Sequence, residues 1–287
     1  MGESFGVRLR AASAANGPLC AGVDPHPGLL AAWGLPHSLA GIERFAATCV
    51  EAFAGNVAVV KPQSAFFEVF GSAGVAVLER VLTDLRAAGT LTILDAKRGD
   101  IGTTMDAYAE AFLGPQAAAP ADALTVSPYL GYGALRPAID LAAAQGRGVF
   151  VLALTSNPEG TSVQHARSVG GRSVAGHIVD GATADNAAAL GRGELGHVGL
   201  VVGATVGSAI AELDLDLAAS GAPILAPGLG AQGATPQDLR RVFGAALPNV
   251  LASASRSILT AGPDVNALRA AARAESEALV DVLAQPR

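Results

Sequence analysis

The sequence predicts a single-domain closed (β/α)8 barrel, and three observations carry that prediction. Eight short apolar segments alternate with longer helical patterns along the whole chain. The apolar segments are near-continuous, as parallel strands covered on both faces require. No break in composition divides the 287 residues, a length that suits one large α/β domain. A doubly wound open sheet is the alternative, but eight evenly repeated units fit closure better.

A helical extension is expected ahead of the first strand. The strands are then expected at Leu19–Val23, Val57–Lys61, Leu91–Ala96, Ala123–Val126, Val149–Leu154, Val198–Gly203, Pro223–Ala226 and Val250–Ala254. Helices are expected over 38–54, 73–88, 103–113, 132–145, 174–190, 206–219 and 235–245, with a last helix over 263–284. Ser38, Ser72, Thr235 and Asp264 are candidate N-caps, and Pro236 suits a first helical position. The segment 156–175 is Gly- and Ser-rich and is expected to be a loop over the barrel mouth.

In such a barrel, chemistry gathers where the strands end. The eight exits read Asp24-Pro25-His26-Pro27, Lys61-Pro62-Gln63, Asp95-Ala96-Lys97-Arg98-Gly99-Asp100, Ser127-Pro128-Tyr129, Thr155-Ser156-Asn157-Pro158, Gly203-Ala204-Thr205, Pro227-Gly228-Leu229-Gly230 and Ser255-Arg256. Asp95 and Lys97 are two apart, so both project from one face of their strand. Lys61 ends the neighbouring strand and is expected at the same mouth. A salt bridge closing the barrel top is the plain reading of this group.

Composition favours a functional one. Of 19 basic residues only Lys61 and Lys97 are lysines. A salt bridge tolerates arginine, whereas proton transfer calls for lysine, which readily gives up its proton. Both lysines fall at adjacent strand ends.

The run Gly228-Leu229-Gly230-Ala231-Gln232-Gly233 spells G-x-G-x-x-G, so a dinucleotide fingerprint must be weighed. It follows the seventh strand, however, and Ser255-Arg256, with no acidic residue, ends the next one. Loops after strands seven and eight form the usual phosphate site of a barrel. Glycine N–H groups would face the anion, with Arg256 as a bidentate clamp. Asp24 suits a ribose, and Thr155 and Ser156 suit a polar ring. His26, Trp33 and the Phe66-Phe67 pair are expected to be structural.

Composition also excludes classes. The net charge of −6, with scattered basic residues, leaves no footprint for nucleic acid. At 51% hydrophobic and 15% charged, the chain can bury a large core. No run of about 18 apolar residues predicts a membrane span, and no signal-peptide core follows Met1–Arg10; the expected location is cytoplasmic. Cys20 and Cys49 are expected as buried thiols. The five histidines show no metal-ligand spacing.

At Asp95-Ala96-Lys97-Arg98-Gly99-Asp100-Ile101-Gly102-Thr103-Thr104 the chain closely resembles the orotidine 5′-phosphate decarboxylases. Further matches run in family order: Gly22-Val23-Asp24-Pro25, Val60-Lys61-Pro62-Gln63, Thr155-Ser156-Asn157-Pro158-Glu159-Gly160, Pro227 to Gly233, and Ser255-Arg256. The Thr-Ser-Asn-Pro segment resembles the longer bacterial type. That type often has Asn before Pro-Tyr, where this chain has Ser127.

The resemblance implies cofactor-free, metal-free decarboxylation of orotidine 5′-monophosphate to UMP, the last step of de novo pyrimidine nucleotide synthesis, in a homodimer. It further implies that Lys61, Asp95, Lys97 and Asp100 form an alternating charged array, with Asp100, Ile101 and Thr104 coming from the partner subunit. Lys97 would stabilise and protonate the C6 carbanion. Asp24 and Lys61 would bind ribose, Ser156 the pyrimidine, and Gln232 and Arg256 the phosphate, with Pro227 and Gly230 in the same substrate loop. Two alternatives remain open at this point. One is a Mg²⁺-dependent sugar-phosphate decarboxylase or aldolase of the same superfamily, which carries an acidic residue in place of Lys61. The other is a non-catalytic sensor of a phosphorylated metabolite.

Overall fold

The computed structural model describes residues 2–230 and 233–284. Eight parallel strands close in chain order: β1 Leu19–Val23, β2 Val59–Pro62, β3 Leu91–Arg98, β4 Ala123–Val126, β5 Gly148–Leu154, β6 Val198–Val202, β7 Ile224–Pro227 and β8 Val250–Ala254. Closure is made by β8 on β1, with Leu19 opposite Ala252 and Ala21 opposite Ala254.

Each strand presents alternate residues to the barrel interior. The lowest inward layer is apolar and includes Cys20, Val59, Ile93, Ala123, Phe150 and Leu251. The helix Phe5–Asn16 plugs this floor: Phe5 and Leu9 are buried, and the Phe5 ring meets Phe150 edge-on at 5.9 Å. Gly148 and Gly199 make room for the two rings, because a Cβ at either would lie within 2.5 Å of a ring carbon. Counting two residues up each of these strands from this floor gives Gly22, Lys61, Asp95, Thr125, Leu152 and Ser253. The inward face therefore changes from apolar to charged toward the strands' C-terminal ends.

The outer face of the sheet is covered by helices. Leu39–Phe53 is representative: Ile42, Phe45, Ala46, Cys49 and Phe53 form its buried stripe. Ser38 caps it by accepting from Gly41 N. Thr235 and Asp238 form a capping box at Pro236–Phe243, and Asp264 caps Val265–Ala284 through Ala267 N. Trp33 is structural, stacked on Phe45 at 4.2 Å and donating to the Leu259 carbonyl. Both cysteines are buried and unpaired; burial pushes the Cys20 thiol up to about 12 and raises Cys49 as well. Among the described residues no helix is long and apolar enough to cross a membrane.

Three expectations need correction. Ser72 does not cap: the helix starts at Gly71, and Phe70 holds the cap position without a side-chain bond. The segment 206–219 is α-helical only over Ala209–Glu212. Asp214 turns left-handed at φ 53°, and Leu213, Leu215 and Leu217 bury at a spacing of two, which no helix face can do. The segment 156–175 is also more ordered than a plain loop. It holds a 3-10 turn at Pro158–Gly160, a helical turn at Thr161–Gln164 and a bridge between Arg167 and Ser173.

One buried amide ties this fold together away from the mouth. Asn186, on the helix Val174–Leu190, donates to the carbonyls of Val198 (2.8 Å) and Ser220 (3.3 Å) and accepts from Val198 N (3.1 Å). Asn186→Leu would leave three backbone groups unpaired in the interior. It is expected to cost about 2–4 kcal/mol in urea unfolding; a loss below about 1 kcal/mol would show that the clamp carries little stability.

Candidate functional site

The charged end of the barrel holds one carboxylate between two ammonium groups. Asp95 Oδ2 accepts from Lys61 Nζ at 2.7 Å and from Gln63 Nε2 at 3.1 Å. Asp95 Oδ1 accepts from Lys97 Nζ at 2.5 Å and from the Thr125 hydroxyl at 3.0 Å. Lys61 and Asp95 are buried, whereas the Lys97 side chain is 46% exposed and faces the open mouth. Burial alone would raise the Asp95 carboxyl, but the two lysines outweigh it and hold it well below the usual carboxylate range. Burial alone would lower Lys61, but Asp95 and then Asp24 raise it above the usual lysine range.

Local backbone explains how Lys97 reaches this position. It adopts φ 48°, a left-handed conformation that a side chain of its length seldom takes. The β3–β4 register shifts between Leu94 and Arg98 at the same place. Arg98 points away from the mouth: it pairs with Glu68, donates to the Ala96 carbonyl, and lies over the rings of Tyr108 and Phe112.

A cavity of about 330 Å³ opens above this array. Asp24 enters its wall from β1. Its Oδ2 accepts from Ser255 Oγ at 2.5 Å, while its Oδ1 is buried with no partner among the described residues. Gly22 permits that contact, since a Cβ there would lie 2.7 Å from Ser255 Cβ. The opposite wall carries Pro227, Gly228 and Leu229 at the end of β7, and Arg256 at the end of β8. Gly228 and Gly230 take φ of 118° and 71°, turning the loop back on itself. Cavities of about 420 and 630 Å³ open at the strands' N-terminal ends. The charge array, rather than size, distinguishes the site at the mouth.

The structure thus brings Asp24, Lys61, Asp95, Lys97, Pro227 and Arg256 together around one cavity. Gly230 flanks it, packed so that a Cβ would meet Ser257 at 2.8 Å. Ser156 sits exposed at the rim, outside the cavity lining. Asp100, Ile101 and Thr104 are also outside it: Asp100 Oδ1 accepts from Ile101 N at 2.8 Å, Ile101 is 61% exposed, and Thr104 is exposed. Gln232 lies outside the described residues. Ser127 contributes backbone, its N–H donating to the Arg98 carbonyl at 2.8 Å.

Sequence reasoning assigned no role to Gln63, Thr125 or Ser255. Gln63 and Ser255 stand in the strand exits, but only the register shows that they touch Asp95 and Asp24. Among the described residues no group of three or more His, Cys, Asp or Glu side chains is arranged to hold a metal ion.

Comparison with known proteins gives one consistent family. A sequence model described as "Orotidine 5'-phosphate decarboxylase / HUMPS family" matches residues 17–271. The chain is 63% identical over 270 residues to the orotidine 5′-phosphate decarboxylase of Salinispora arenicola, covering 94% of this chain and 95% of that one. The Salinispora tropica enzyme of the same name is 61% identical over 270 residues, with the same coverage. A crystal structure of a protein from Streptomyces avermitilis superposes with a TM-score of 0.94 at 56% identity, over 99% of this chain and 97% of that one.

The ion-pair array makes stability depend on pH in a defined way. The depressed Asp95 contributes stability above the usual carboxylate pKa of about 3.9, lost as pH falls toward its own lower value. The raised Lys61 contributes below about pH 10.4, lost as pH rises through its own higher value. Asp95→Asn leaves Lys61 as a buried charge without its main partner and is expected to cost about 3–5 kcal/mol near neutral pH. The gap from wild type should shrink below about pH 4, where the native carboxylate begins to lose its own advantage. A gap that stays constant from pH 7 to pH 3 in urea titrations contradicts the assignment.

Proposed function

The chain belongs to the orotidine 5′-phosphate decarboxylase / HUMPS family, and from that premise we propose how its residues share the reaction. The enzyme is a carboxy-lyase that converts orotidine 5′-monophosphate to UMP and CO2 in pyrimidine nucleotide biosynthesis. The observation that carries the residue assignment is Asp95 held between Lys61 and Lys97, at 2.7 and 2.5 Å, beneath a cavity that also exposes Arg256.

Breaking the C6–CO2 bond leaves its electron pair on C6, where the pyrimidine offers no imine to delocalise it. A fixed positive charge must therefore develop its effect as the carbanion forms. Lys97 Nζ, the accessible ammonium of the array, stabilises that charge and transfers a proton to C6; the resulting neutral amine is reprotonated from solvent. Asp95 lies where the substrate carboxylate enters and disfavours it in the ground state. Lys61 keeps Asp95 ionised and, with Asp24, binds ribose hydroxyls. The unpartnered Asp24 Oδ1 supports that role, since a buried acceptor gains most from a hydroxyl donor.

The phosphate is bound by the Pro227–Gly230 turn and by Arg256, whose fork suits its oxygens, with Gln232 assigned to it by family resemblance. Ser156 at the rim recognises the pyrimidine. Phosphate binding remote from C6 supplies energy realised at the reacting ring. The resident chemistry needs no cofactor, and the proposed location is cytoplasmic.

The working unit is a homodimer in which the partner's copies of Asp100, Ile101 and Thr104 complete the site. Two features support this: Asp100 stays outside its own cavity, and Ile101, Tyr129 and Leu130 are 61, 79 and 53% exposed at adjacent strand exits.

Loss of pyrimidine absorbance from orotidine 5′-monophosphate, followed with chelator present, tests the assignment. Lys97→Arg is expected to lose at least about a thousandfold in kcat while still binding UMP; near-wild-type turnover would remove Lys97 as proton donor. Mixing two inactive variants, Lys97→Ala and Asp100→Ala, tests the shared site. In a two-fold dimer, random exchange should restore about a quarter of the native sites. Mixtures that stay inactive after demonstrated subunit exchange would show that Asp100 does not act across the interface.

A further inference from the structure

We propose that Thr125 is a positioning residue for the decarboxylation, its one hydroxyl holding Lys97 and Asp95 in their working arrangement across a break in the β3–β4 ladder. The proposal deepens, and rests on, the reading of Lys97 as proton donor.

The ladder shows why a hydroxyl is needed here. Leu94 pairs with Leu124, and the next pairing is Arg98 with Val126. Between those pairs β3 carries three residues, 95 to 97, against the single Thr125 of β4. The surplus residues cannot all find carbonyl partners on β4, and a buried N–H left unpaired is costly. The Thr125 side chain supplies the missing acceptor. Its Oγ1 accepts from Ala96 N at 3.0 Å and from Lys97 N at 3.0 Å. It donates its own hydrogen to Asp95 Oδ1 at 3.0 Å.

A hydroxyl has one donor and two acceptor sites, so all three are occupied. With both lone pairs facing N–H groups, the hydrogen has only the carboxylate to meet. The hydroxyl orientation is thereby fixed, and with it the rotation of the Asp95 carboxylate between the two lysines. Thr125 is 1% exposed, so bulk water does not reach this junction. The Lys97 peptide it grips is the one at φ 48°, a conformation that persists only where neighbours hold it. Loss of the grip lets the strand relax toward ordinary extended geometry and carries Lys97 Nζ away from its place above Asp95. The groups assigned to phosphate come from β7 and β8 and those assigned to ribose, Asp24 and Lys61, from β1 and β2; Thr125 Oγ1 bonds to none of them, its partners being Ala96 N, Lys97 N and Asp95 Oδ1.

The test compares Thr125→Val, which keeps the shape but has no hydroxyl, with Thr125→Ser, which keeps the hydroxyl and loses a methyl. Thr125→Val is expected to lower kcat by about 10–100-fold, as a small misplacement of a reacting group does. The KM for orotidine 5′-monophosphate and the Kd for UMP should stay within about threefold of wild type. Thr125→Ser should recover kcat to within about threefold of wild type. If Thr125→Val does not accumulate as folded protein, Thr125→Ala, whose smaller side chain admits a water to the two N–H groups, takes its place in the comparison.

Wild-type kcat in the Val or Ala variant overturns the proposal. So does a Ser variant as impaired as Val, or UMP binding that weakens in step with kcat, since either outcome reduces Thr125 to packing. The two readings fail separately. An active Lys97→Arg refutes the proton donor, whereas an inactive Lys97→Arg beside a fully active Thr125→Val refutes only the role of Thr125.

Discussion

The carboxylate of Asp95 is the constraint around which the rest of the site is arranged. It is buried and charged, a state that an apolar interior does not tolerate without compensation. Four donors supply that compensation: Lys61, Gln63, Lys97 and Thr125. They arrive from β2, its exit, β3 and β4, so the sheet must close in the right register before any of them meets the others. A barrel suits this need because its strands converge on one axis and its inward faces share one layer spacing.

The molecule is strongly asymmetric along that axis. The floor is sealed by Phe5, Leu9 and Phe150, with glycines at 148 and 199 cut to the rings they meet. The mouth is left open, with Lys97 half-exposed and Asp24 Oδ1 without a partner among the described residues. The larger apolar core lies between the sheet and its covering helices and the floor adds a smaller one, so most apolar burial lies away from the mouth. The mouth can then carry strain, a left-handed lysine and unmatched polar groups without endangering the fold.

Much of the fold was legible because its signals are local. Near-continuous apolar strands, caps such as Ser38 and Thr235, and Pro236 at a first helical turn depend on residues within one turn of each other. The segment 206–219 was misread because its leucines at 213, 215 and 217 follow a strand-like spacing set by the core beneath them, not by the chain itself. In the site, Lys61, Asp95 and Lys97 stood out because the census of two lysines and the two-residue spacing of Asp95 and Lys97 can both be counted in one dimension. Thr125 and Ser255 did not. A threonine inside a strand and a serine at its end are common, and their partners lie 30 and 231 residues away.

The sequence by itself determined the layered architecture, the end of the barrel that carries the charged side chains and the identity of the proton-transfer candidates. Periodicity, residue type and position at a strand exit follow from covalent order. Only the tertiary structure decided which groups touch: the four donors on Asp95, the Ser255 bond to one Asp24 oxygen, and the bulge that turns Lys97 inward. Those depend on register between strands, and register is set by the closure of all eight at once.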